Sequence, residues 1–196
     1  MEIKIFDLFD VSDIKISDVG LKRYINLEPK LNLKSKGRIR EKFGKSKINL
    51  IERLINMLCV PGHRGKKHKI STGVTGKYSH GAKTLIEAFK IVEEKTKENP
   101  VQVFVRAVEN SSPRDEITTI EYGGARYPQA VDCSPIRRIN LALRQIVHGS
   151  HDKAFKSKKK IFETLADEII LASRNTNESF AVKKRIETEK QANAAR

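Results

Sequence analysis

Beyond residue 46, apolar side chains recur at helical spacing through most of the chain. Ile48, Ile51, Leu54, Ile55 and Leu58 make the first stripe, and Ser46 as N-cap with Pro61-Gly62 as a stop predicts a helix over about 47–60. A second stripe, Ala82, Leu85, Ile86, Phe89 and Val92, begins near Ser79 and ends near Lys97. The third opens with Asn99 as cap and Pro100 in the first turn, where the missing N–H does no harm, and carries Val101, Phe104, Val105 and Val108. Ser134-Pro135 repeats that pattern before Ile136, Ile139, Leu143, Ile146 and Val147, with Gly149 expected to close the fourth helix. A fifth is expected over about 157–174 with Ile161, Leu165 and Ile169 inward, and a sixth after Ser179, where Phe180, Val182 and Ile186 give a partial stripe.

Between the third and fourth helices the pattern changes. Ile117, Thr118, Thr119, Ile120 and Tyr122 favour extended backbone, Gly123-Gly124 suits a tight turn, and a return strand follows from Tyr127 to Val131. The two strands lack clean apolar alternation and Pro128 cannot donate to an inner ladder, so the hairpin reads as a projecting arm. The expected fold is mainly α: a single-domain bundle of about six helices with a β-hairpin arm between helices three and four. Residues 1–46 read as an N-terminal extension and 47–196 as the helical domain, with the arm at 115–134.

Charge adds the partner class. The 196 residues hold 39 Lys plus Arg against 24 Asp plus Glu, a net of +15. Residues 1–20 are acidic at −3, residues 30–47 carry +7, and residues 61–77 carry +5 with no acid at all. Loops of one sign repel themselves unless phosphates lie between the cations, which points to nucleic acid. An anionic membrane would want a basic helix with a strong apolar face, and these basic runs sit among Gly, Ser and Thr instead. The start has no basic-then-apolar leader and no run of eighteen apolar residues occurs, so a cytoplasmic location is expected. Cys59 and Cys133 suit reduced packing residues.

Catalytic and cofactor patterns fail on inspection. Gly73-Val74-Thr75-Gly76-Lys77 approaches a phosphate-binding loop, but Ser71 stands where its first Gly belongs and Tyr78 where a Ser or Thr is needed. Gly62 to Lys67 fails likewise at Val60. Cys59, His63 and His68 lack a second close pair for zinc, and His148 and His151 read as helix-end groups that cap carbonyls or meet phosphate. No Ser sits beside a base in a nucleophile signature. The expectation is a binding protein with no metal, no cofactor, no small-molecule substrate and no catalytic activity.

The candidate RNA contacts follow the charge. Lys34, Lys36, Arg38, Arg40, Lys42, Lys45 and Lys47 form the first set, and Arg64, Lys66, Lys67, Lys69 and Lys77 the second. Arg137 and Arg138 occupy the first turn of the fourth helix, where the macrodipole disfavours cations, a conflict that a phosphate or salt bridges to acids elsewhere in the chain would relieve. Arg114, Arg144, Lys153, Lys156, Lys158 and Lys159 complete the group. On the arm, Tyr122, Gly123, Gly124, Arg126, Tyr127 and Gln129 are available to RNA or a neighbouring protein. Lys183, Lys184 and Arg185 span too wide an arc of one helix to share a narrow face.

Several of these residues lie in ordered motifs. Pro113-Arg114, then Gly123-Gly124-Ala125-Arg126-Tyr127, then Gln129-Ala130-Val131-Asp132 and Ser134-Pro135-Ile136-Arg137-Arg138-Ile139-Asn140 strongly resemble the family of small-subunit ribosomal protein seven, called protein five in eukaryotes. Leu165-Ala166-Asp167-Glu168 and Ala181-Val182-Lys183-Lys184-Arg185 match later motifs in order. The resemblance covers about 49–196, and the stretch before it is similar to the archaeal and eukaryotic branch. It implies a helical body with a hairpin arm that binds the 3′ major (head) domain of small-subunit rRNA and nucleates head assembly. It further implies that the arm and the last helix, with Lys183, Lys184 and Arg185, lie near the exit-site tRNA and the mRNA path, beside ribosomal protein eleven. The segment 61–79 is longer than its counterpart in the family, so its RNA contacts rest on charge alone. An architectural DNA-binding protein, with the ribbon entering a minor groove, is the alternative reading.

Overall fold

A computed structural model describes residues 3–34, 44–61 and 76–196, together with the backbone of His63–Arg64 and Lys67–His68. Its helices are α1 (Val19–Lys22), α2 (Leu50–Leu58), α3 (Tyr78–Thr96), α4 (Pro100–Ser111), α5 (Pro135–Ala154), α6 (Ile161–Ser173) and α7 (Phe180–Ala194). Two ribbons accompany them: β1 (His63–Arg64) with β2 (Lys67–His68), and β3 (Asp115–Tyr122) with β4 (Ala125–Asp132). Among the described residues no helix is long and apolar enough to cross a membrane.

Most residues of the predicted stripes form one core, while Ile86, Ile136, Ile161 and Phe180 are only partly buried and lie outside it. α6 lies at its centre, packed on α3, α4 and α5, and contributes Leu165 and Ile169 with no exposed surface. Phe89 of α3 and Phe104 of α4 meet with centroids 5.8 Å apart, and Phe9 packs edge-on to Phe89 at 5.5 Å. The stretch read as an N-terminal extension therefore reaches the same core, with Ile5, Phe9, Leu21, Ile25 and Leu33 all buried in it. It is also tied by polar contacts. Glu109 of α4 accepts from the backbone N–H groups of Ser17 and Asp18, and Asn99 donates to the Asp10 carbonyl.

Several boundaries move for local reasons. The first predicted helix starts at Leu50 because Asn49, rather than Ser46, accepts from the Ile51 N–H; Gly44–Lys47 is a separate 3-10 turn. The fifth begins at Ile161, where the Glu163 carboxylate accepts from the Lys160 N–H and the Lys160 carbonyl accepts from the Glu163 N–H. Gly149 does not end the fourth helix, which continues to Ala154. A Cβ at Gly149 would lie 2.6 Å from Phe180 Cβ, so this glycine serves the close approach of α7 to α5. His148 and His151 are consequently buried side chains of α5, His148 before its last turn and His151 within it.

The hairpin is as expected. Gly123 and Gly124 both have positive φ, 59° and 81°, as a two-residue type I′ turn requires. Counting pairs outward from that turn places Thr119 opposite Pro128 at a non-hydrogen-bonded position, where the absent N–H costs no ladder bond. The strands of β3 and β4 pair only with each other and are exposed from Thr119 to Gln129. The root of the arm is anchored on α7: the Arg114 N–H donates to Glu189, and Arg196 pairs with Asp115 at 2.7 Å.

Candidate nucleic-acid interface

The structure sorts the candidate cations by what surrounds them. At the arm root, Arg138 is nearly buried and pairs with Asp18 at 2.7 Å while its Nε donates to the Pro113 carbonyl. Arg137 pairs with Glu116 and keeps an exposed side chain. The conflict between these cations and the α5 macrodipole is thus relieved inside the chain. Burial raises the Asp18 pKa, but the Arg138 hydrogen bond and charge, with the N–H groups of Gly20 and Leu21, outweigh it and leave the carboxyl below its usual value.

At the junction of α5 and α6, Lys153 donates to Glu168, a carboxylate with no exposed surface, at 2.6 Å. Lys159 lies 3.6 Å from Asp167, which also receives Lys95 at 2.6 Å. Lys156 sits over the half-exposed Phe155 ring, and Lys158 is exposed. On α7, Lys184 pairs with Glu187 and Arg185 with Glu189, Arg185 also donating to the Asn110 carbonyl at 2.8 Å. Lys183 is exposed.

A different environment surrounds Lys45 and Arg144. The 3-10 turn, α2 and α5 line a cavity of about 320 Å³ whose polar lining includes Lys45, Arg144 and Arg53 and, among the described residues, no carboxylate. Arg53 is 2% exposed, and among the described residues its guanidinium donates to neutral oxygens, Asn140 Oδ1 at 3.0 Å and the Tyr24 carbonyl at 3.5 Å. Its Nε has no partner. Burial pushes the Arg53 pKa down to about 10, and Lys45 is lowered by burial and then by the charges of Arg53 and Arg144. Arg53 was not among the sequence candidates. It flanks an apolar stripe on α2, and nothing in the spacing distinguishes it from a solvated cation.

Of the remaining candidates, Lys47, Lys77 and the Arg114 side chain are exposed, and Lys34 lies over the Tyr78 ring at 5.7 Å. Lys36, Arg38, Arg40, Lys42, Lys66 and Lys69, and the side chains of Arg64 and Lys67, fall outside the described residues, as does most of the phosphate-loop-like run at 73–77. On the arm, Tyr122 and Tyr127 are 82% and 58% exposed, Gln129 is exposed, and Arg126 makes a long, open contact with Glu121 at 3.6 Å.

A helical body with a two-stranded arm held at its root, and a basic cavity with no carboxylate among the described residues, fits a binding protein for an extended polyanion. Comparison with known proteins gives the family. The model for ribosomal protein S7p/S5e matches residues 21–196. Full-length relatives include the small ribosomal subunit protein uS7 of Nanoarchaeum equitans, 50% identical over 100% of both chains, and that of Picrophilus torridus, 49% identical over 100% of both. The corresponding protein of Archaeoglobus fulgidus is 44% identical over 100% of this chain and 96% of its own. The chain belongs to the ribosomal protein S7p/S5e family, of the archaeal type.

Proposed function

We propose that this protein is a structural constituent of the small ribosomal subunit in the cytoplasm, where it binds the 3′ major domain of small-subunit rRNA and nucleates assembly of the head. The observation that carries this reading is the arm: sixteen strand residues extend from a finished core and expose two tyrosines at the tip. A lone ribbon is marginal in water and gains its order from a surface it lies against. The small-subunit relatives support the ribosome as that surface. The basic groups without carboxylate partners supply the phosphate contacts, and affinity for folded RNA then falls steeply with salt.

The same reading places the arm and α7 near the exit-site tRNA and the mRNA path, with ribosomal protein eleven as neighbour. Crosslinking in cells followed by sequencing of the attached RNA tests it. Recovery of head-domain rRNA supports the assignment, and recovery of chromosomal DNA, or displacement of bound RNA by duplex DNA, overturns it in favour of the architectural alternative.

A further inference from the structure

Arg53 differs from Arg138 and Glu168 in what it is paired with. Arg138 has Asp18 and Glu168 has Lys153, each within 2.7 Å, whereas among the described residues Arg53 has an amide oxygen and a carbonyl. Burying a guanidinium without a counter-ion is unfavourable, and two further cations beside it make it more so. The arrangement becomes favourable when an anion enters. Among the described residues the chain offers none there, since none of those lining the cavity is a carboxylate.

The shape narrows the choice of anion. The rest of the wall is mostly apolar, with Ile48, Met57, Val60 and Val147 beside Asn56 and His148, and at about 320 Å³ the cavity is far too small for a duplex backbone. An inorganic anion would have no use for that wall. An unstacked nucleotide uses both sides, its phosphate held by cations and its base face removed from water against apolar side chains or a guanidinium plane. Lys45 and Arg144 are exposed at the mouth, where a sugar-phosphate strand passes, and Arg53 lies behind them.

We propose that this cavity receives one unstacked nucleotide of the bound RNA, its phosphate between Lys45 and Arg144, its base against Met57 and Val60, with Arg53 as the buried charge that holds it. The inference rests on the rRNA-binding reading and specifies one subsite within it.

The test uses the full chain and a transcript of the rRNA head domain, with Val60→Trp and Arg144→Gln as variants. Val60 is 47% exposed, so Trp can fill the mouth without disturbing the core or the charge, which an unchanged melting curve verifies. Val60→Trp is expected to weaken binding about tenfold, the scale of one lost base contact, with the salt slope unchanged. Arg144→Gln is expected to lower the slope of log K against log salt by about one. Chemical probing should show one unpaired base protected by the wild type and released by Val60→Trp. Binding and protection unaffected by Val60→Trp overturn the nucleotide pocket alone. A wild-type chain that fails to retain the transcript overturns the rRNA reading, and the pocket with it.

Discussion

The Lys153 ammonium lies 2.6 Å from a Glu168 carboxylate that has no exposed surface, so a cation from the basic cluster at the α5–α6 corner acts as an internal counter-ion. The other oxygen of Glu168 accepts from the Ser179 hydroxyl at 2.8 Å and the Ala181 N–H at 3.1 Å. One carboxylate thus joins α5, α6 and the start of α7. Lys153→Met leaves that charge buried without its counter-ion and is expected to cost about 3 kcal/mol of unfolding free energy, measured by urea titration. A loss under about 0.5 kcal/mol would place Lys153 among the solvated cations after all.

Gly149→Ala tests the packing of α7. Alanine ordinarily favours a helix interior over glycine by about 1 kcal/mol. Here its methyl would meet Phe180 Cβ at 2.6 Å, backbone-fixed atoms that cannot swing aside. The substitution is expected to destabilise by about 1–3 kcal/mol, read as a lower melting temperature. A rise in melting temperature would show that α7 shifts freely on α5.

Acid should loosen the attachments of the N-terminal segment and α3. In Asp167, as in Asp18, burial raises the pKa but cationic partners, here Lys95 and Lys159, outweigh it and leave it depressed. A depressed folded-state pKa gives stability that is present above the unfolded value, about 3.9 for Asp, and lost as pH falls through the folded value. Unfolding free energy is expected to hold through neutral pH and to fall below about pH 4. Asp18→Asn should flatten part of that fall, and an acid limb identical to wild type would deny Asp18 its role.

Cys133 should be unreactive in the folded chain. Burial, followed by the Glu116 carboxylate, pushes its thiol up to about 11, and burial also raises Cys59. At pH 8 the native protein is expected to alkylate slowly with iodoacetamide and to modify both thiols rapidly in denaturant, followed by mass spectrometry. Fast native alkylation of Cys133 would mean that the arm root opens.

Removal of residues 122–127, the arm tip, is expected to leave cooperative unfolding of the helical body within about 0.5 kcal/mol of wild type, because these side chains touch no core residue. Incorporation into small subunits should fall. Loss of cooperative unfolding would assign the tip to the core.

Local rules made much of the fold legible. The Asn99-Pro100 start of α4, the stripe Val101, Phe104, Val105 and Val108, and the Gly123-Gly124 turn depend on neighbours a few residues away, and all stand as read. The net charge of +15 likewise named the class of partner without any coordinates. Which cations face solvent was decided by residues far apart in the chain: Arg138 meets Asp18 across 120 positions, while Arg53 is buried against α5 and finds neutral acceptors among the described residues. Gly149 passed for a helix stop because the residue that requires it, Phe180, lies on another helix. Periodicity and capping are short-range and survive in one dimension. The electrostatic fate of a side chain depends on what tertiary packing brings within a few ångströms of it, and only the folded chain determines that.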